Sequence, residues 1–156
     1  MAKNTQKILK YWESYYPVIL SAILTMIFFF LCRIPLKEKV FSKEIISVTI
    51  NITGILFGFL LTVLALLLQS DSKSLKLIKV YGRFGELIKF NKSAVYASAL
   101  SLILSLIFLI FIDLKPEKCF YIYLYESFKW FWFFILMTTI LKTYRYVDIF
   151  YNLIKE

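Results

Sequence analysis

The chain has 156 residues, 60% hydrophobic and 19% aromatic, and 19 Lys and Arg against 10 Asp and Glu give a formal charge of +9. Ordinary soluble domains are about 45–50% apolar, so a conventional soluble fold of this length is excluded. The absence of His removes the commonest general base and metal ligand, and two cysteines are too few for a disulfide framework or a metal-binding spacing.

Four stretches are apolar and long enough to be predicted as membrane-spanning helices, over 15–32, 45–69, 94–112 and 122–142. The first carries Pro17 at an expected first helical turn, with Tyr11, Trp12, Tyr15 and Tyr16 ahead of it as interfacial aromatics. Lys3, Lys7 and Lys10 before an apolar core also fit a signal peptide. Arg33-Ile34-Pro35 is no small-residue cleavage site, and a retained span is expected.

The second span is the clearest and the most polar, with Thr49, Asn51, Thr53, Thr62 and Gln69. It contains Gly54-Ile55-Leu56-Phe57-Gly58, flanked by Asn51 and Thr62. Lipid gives apolar side chains no reason to leave it, so membrane helices associate where small residues let backbones approach and polar groups bond across. Asn51, Gly54, Gly58 and Thr62 are therefore expected on a packing face, toward a helix of the same chain or of another copy.

Residues 70–93 form a basic connection with Lys73, Lys76, Lys79, Arg83, Lys89 and Lys92. Leu77, Tyr81, Phe84 and Ile88 recur at helical spacing, and Gly82 and Gly85 suggest a turn near 81–85. The expected shape is a hairpin in which the second and third helices project beyond the membrane. A basic amphipathic helix lying on the inner leaflet is the alternative.

The third span has a stripe of small residues, Ala94, Ala97, Ser98, Ser101 and Ser105, spaced at threes and fours. Joined by a short connection, the second and third helices are natural antiparallel neighbours, and their two small-residue stripes are expected to pair. In the fourth span Glu126 and Lys129 interrupt the apolar run; three apart, they share a helix face and can form an ion pair near the interface.

Basic residues at the N-terminus (Lys3, Lys7, Lys10), in the middle connection and at the C-terminus (Lys142, Arg145, Lys155) outnumber those of the other two loops (Arg33, Lys37, Lys39, Lys43, Lys115, Lys118) even with Lys129 added to the latter. By this bias both termini and the middle connection are expected in the cytoplasm. The basic residues lie beside apolar runs, which points to anionic lipid, with no nucleic-acid contact expected. Cys32 and Cys119 then fall at the outer face, where a disulfide between them is open, as is a pair of unbonded thiols.

No catalytic residues, cofactor site or metal site are expected: the spans hold no acids, bases or ligands beyond Glu126 and Lys129, and Ser98, Ser101 and Ser105 have no base in sequence reach. The polar groups of the second span either bond across helices in a closed bundle or line a pore in an oligomer. The expected fold is all-α, one transmembrane domain of four helices in a bundle over residues 1–156.

This plan of four spans, rich in Lys, Ile and Phe with a basic cytoplasmic hairpin and no enzymatic domain, resembles the small inner-membrane components of bacterial anti-phage systems, such as the membrane subunit of Kiwa or the membrane proteins accompanying some CRISPR effectors. The resemblance is one of layout over the whole chain and carries over no functional residue. It implies a non-enzymatic homo-oligomer of the bacterial inner membrane that senses infection, or perturbs the membrane when a cytoplasmic partner switches it. A small channel or solute carrier, with Asn51 and Thr62 along its path, is the alternative, and a holin-like lysis protein a further one.

Overall fold

The computed structural model describes residues 2–31, 41–69, 84–112 and 119–155, with side chains described over 15–31, 41–69, 84–112 and 123–152. These residues form four helices: α1 (Ala2–Leu31), α2 (Lys43–Gln69), α3 (Phe84–Phe111) and α4 (Cys119–Lys155). The all-helical expectation holds over them. Helices α2 and α3 are each long and apolar enough to cross a membrane, and α1 holds a shorter apolar stretch, Tyr15–Leu31.

Local chemistry accounts for the start of α2. Ser42 stands just ahead of α2, where its Oγ accepts a hydrogen bond from the Ile45 N–H at 3.4 Å and its carbonyl accepts one from the Ile46 N–H at 3.1 Å. This is N-capping, with Glu44 in the first turn complementing the positive end of the helix.

Two sequence expectations are corrected, and one helix runs past its predicted span. Pro17 lies inside α1 rather than in its first turn, because the helix starts at Ala2; lacking an N–H, Pro17 cannot bond the carbonyl four residues back. Phe84 and Gly85 are the first residues of α3 rather than part of a turn, and no atom lies within 4 Å of a Cβ placed at Gly85. The tail after 142 continues α4 without a break. The rest of the expected hairpin, 70–83, lies outside the described residues.

Helix α2 packs on α3, α3 on α4, and α4 on α1. Each pair runs antiparallel. Leu67 near the end of α2 meets Leu87 near the start of α3, while Ile46 and Phe108 share a cluster at the opposite ends. Ser105 meets Trp132, Ala97 meets Thr139, and on α1 Ser21 meets Thr138 while Phe28 stacks on Phe133.

Two apolar clusters close the two ends. One gathers Leu60, Leu67, Leu87, Ala94, Val95 and Tyr146. The other gathers Phe41, Ile46, Phe108, Trp132 and Phe133, joined by Phe28 and Trp130 in a set of edge-to-face and stacked rings. Such aromatic pairs contribute roughly 0.5–1.5 kcal/mol each beyond area burial.

Candidate functional site

Between the clusters runs a seam of small polar side chains. Ser21, Thr138, Thr139, Ser98, Ser101 and Ser105 are buried, together with Ala94 and Ala97. Short side chains let backbones approach, and most of the hydroxyls satisfy themselves by donating to a carbonyl three or four residues back. Ser98 donates to the Val95 carbonyl at 2.9 Å, Ser105 to that of Ser101 at 2.7 Å, and Thr138 to that of Phe134 at 2.8 Å.

Three contacts tie helices together through this seam. The Trp132 indole N–H donates to Ser105 Oγ at 2.8 Å, the Thr139 hydroxyl to the Ala97 carbonyl at 3.0 Å, and Ser21 and Thr138 share a hydrogen bond of 2.7 Å. The stripe read on α3 is thus buried along its length, but its polar partners come from α4.

The second stripe is divided. The face of α2 that is buried consists of Ile46, Thr49, Thr53, Leu60 and Leu67. Gly54 lies at its edge, where an added Cβ would come to 3.4 Å from Leu102 Cδ1 of α3. Asn51, Gly58 and Thr62 are exposed, and nothing lies within 4 Å of a Cβ placed at Gly58. At 100° per residue, Gly58 stands about 140° around the helix from Thr53, so the expected pairing of the whole Asn51–Thr62 stripe with α3 does not form within one copy. Thr62 is satisfied within its own helix, donating to the Gly58 carbonyl at 2.9 Å.

Near the aromatic end, Lys129 Nζ lies 2.9 Å from Glu126 Oε1, the ion pair anticipated from their spacing. The same ammonium sits 4.4 Å from the centre of the Tyr125 ring, a cation–π contact.

At the opposite end Asn91 is fully buried with both amide atoms outside hydrogen-bond geometry, beside Tyr146, whose hydroxyl is likewise buried without a closed hydrogen bond. Burial pushes the Tyr146 phenol above its usual value, with the neighbouring Asn91 amide acting in the opposite sense. Asn91 escaped the sequence reading. It stands three residues before Ala94, at the head of the small-residue stripe, and that spacing is the signal that marks it.

At this end too lies a small cleft of about 50 Å³ lined by Pro17, Lys89, Phe90, Ser93, Lys142 and Arg145. Lys89 and Lys92 are both exposed, and only Lys89 lines the cleft. Arg145 also holds Asp148 at 3.3 Å. Lys73, Lys76, Lys79, Arg83 and Cys32 lie outside the described residues, and Cys119 is placed only as the first residue of α4. Among the described residues no group of three or more metal-ligating side chains comes together. Comparison of the chain with protein-family models, with curated proteins and with solved structures returns no match.

Proposed function

We propose that this chain is a non-enzymatic integral membrane protein that crosses the bilayer four times as a helix bundle, with both termini and the basic 70–93 hairpin in the cytoplasm. One observation carries the reading: the molecule is apolar outside and polar within. Ile55, Ile110, Met26, Phe30 and Leu66 are each more than half exposed, while Ser21, Thr53, Asn91, Ser98, Ser101, Ser105 and Thr139 are at most 1% exposed. Water would oppose that distribution, whereas hydrocarbon favours it, because the hydroxyls of Ser21, Thr53, Ser98, Ser105 and Thr139 are satisfied internally and the large side chains meet lipid tails.

The test is extraction. Membranes containing the protein, washed in alkaline carbonate, should retain it in the pellet; release into the supernatant refutes the proposal.

Within this reading, copies assemble through the exposed face of α2 that bears Asn51, Gly58 and Thr62, where polar and small residues favour another helix over lipid. A cytoplasmic protein partner docks on Lys73, Lys76, Lys79 and Arg83. The layout resemblance to inner-membrane components of anti-phage systems supplies the setting, a sensor or effector switched by that partner.

The exposure of Asn51 and Thr62 also favours a second reading, a channel whose path runs between copies. Planar-bilayer recording separates the two. Selective conductance by purified protein alone favours the channel, and silence until a partner is added favours the switched effector.

A further inference from the structure

We infer that the cleft between α1, α3 and α4 is a binding site for a phosphate group, supplied by an anionic phospholipid headgroup at the cytoplasmic face. Lys89 and Ser93 stand one turn apart on α3, and Lys142 and Arg145 one turn apart on α4, so two helices bring three basic residues and a serine to line one space. Its walls contain no carboxylate. Asp148 accepts one hydrogen bond from Arg145, and neither it nor Glu86, a turn before Lys89, lines the cleft. Arg145 keeps Asp148 as a partner, whereas Lys89 and Lys142 border the same space with no carboxylate in its lining, and two like charges so placed favour an anion between them.

Size and depth narrow the ligand. A water needs roughly 10–15 Å³ of such space, so about 50 Å³ suits a group of a few heavy atoms such as phosphate and not a nucleotide. Pro17 and Phe90 make the apolar part of the wall, over which the Lys stems can lie with their ammonium groups turned outward. Pro17 opens the apolar part of α1, Ser93 precedes the third span and Lys142 ends the fourth. In the four-span reading all three stand where acyl chain gives way to headgroup, which is the depth of lipid phosphate. The choice of lipid as source rests on that reading, whereas the phosphate site itself does not.

The experiment uses the full chain in neutral detergent. Phosphatidylglycerol, phosphatidylcholine and, separately, inorganic phosphate are titrated in, with thermal stability and lipid retention by native mass spectrometry as readouts. Phosphatidylglycerol should bind more tightly than phosphatidylcholine, and the double substitution Lys89→Gln, Lys142→Gln should weaken it by about fivefold for each cation removed. Lys92→Gln, outside the cleft, should leave binding unchanged. If the double variant does not fold, Lys89→Gln alone, on an exposed side chain, gives the same reading at about fivefold.

Saturable stabilisation by inorganic phosphate that also depends on Lys89 upholds the site and assigns it a soluble ligand. Equal binding of phosphatidylglycerol by wild type and the cleft variants, with no response to inorganic phosphate, overturns the proposal. Carbonate release would refute the membrane reading while leaving the inorganic phosphate arm to decide the site.

Discussion

Ser105 shows how one hydroxyl serves two helices: it donates to its own helix at the Ser101 carbonyl and accepts the Trp132 indole N–H from α4. Ser105→Ala leaves that N–H buried beside a methyl group, because Trp132 is 1% exposed. The expected loss is about 1–2 kcal/mol, read as a lower unfolding temperature in detergent. Adding Trp132→Phe should recover part of it, since both members of the pair are then apolar. Equal losses in the single and double variants would show that the bond contributes little.

Tyr146 gives a prediction in pH. Its phenol is held above the usual 10.0 by burial, so folding favours the neutral ring. Its contribution is complete below about pH 10 and is lost as pH rises through the folded value. Tyr146→Phe should therefore flatten the fall of unfolding temperature on the alkaline side while leaving neutral pH little changed. An identical alkaline slope in both proteins would refute the assignment.

At the scale of the element, α2 presents two faces with different consequences. Gly54→Leu drives a large side chain toward Leu102 of α3 and should destabilise the single chain by about 1–3 kcal/mol through overpacking. Gly58→Leu meets open space within the copy. It should leave thermal stability of the monomer unchanged and reduce the oligomer seen by native mass measurement in lipid. If Gly58→Leu alters neither, that face meets only hydrocarbon.

For the molecule as a whole, antiparallel packing brings Pro17, Leu67, Leu87, Tyr146 and the basic cleft to one end, and Phe28, Phe41, Phe108 and Trp130 to the other. The cleft gathers three basic residues at one end, which suits a bilayer whose inner leaflet is anionic. Reporter fusions at Gly82 and Glu156 should therefore respond from the cytoplasmic side and a fusion at Lys115 from the opposite side. Signals from opposite faces at Gly82 and Glu156 would sink the four-span topology.

That the four apolar stretches are helical was legible in the sequence from run length and apolar content, while the extension of α1 back to Ala2 and of α4 on to Lys155 was not. So were the α3 stripe and the Glu126–Lys129 pair, because spacing along a single helix decides both. Tertiary structure alone decided which face of α2 turns to α3, that α1 packs on α4, that Asn91 is buried beside Tyr146, and that Lys89, Lys142 and Arg145 converge. On the proposed membrane reading the physical reason is the solvent. In water, apolar periodicity tells the inner face of a helix from the outer one, but where lipid-facing and helix-facing positions are both apolar that contrast fades, and only the fit of one helix against another selects the face.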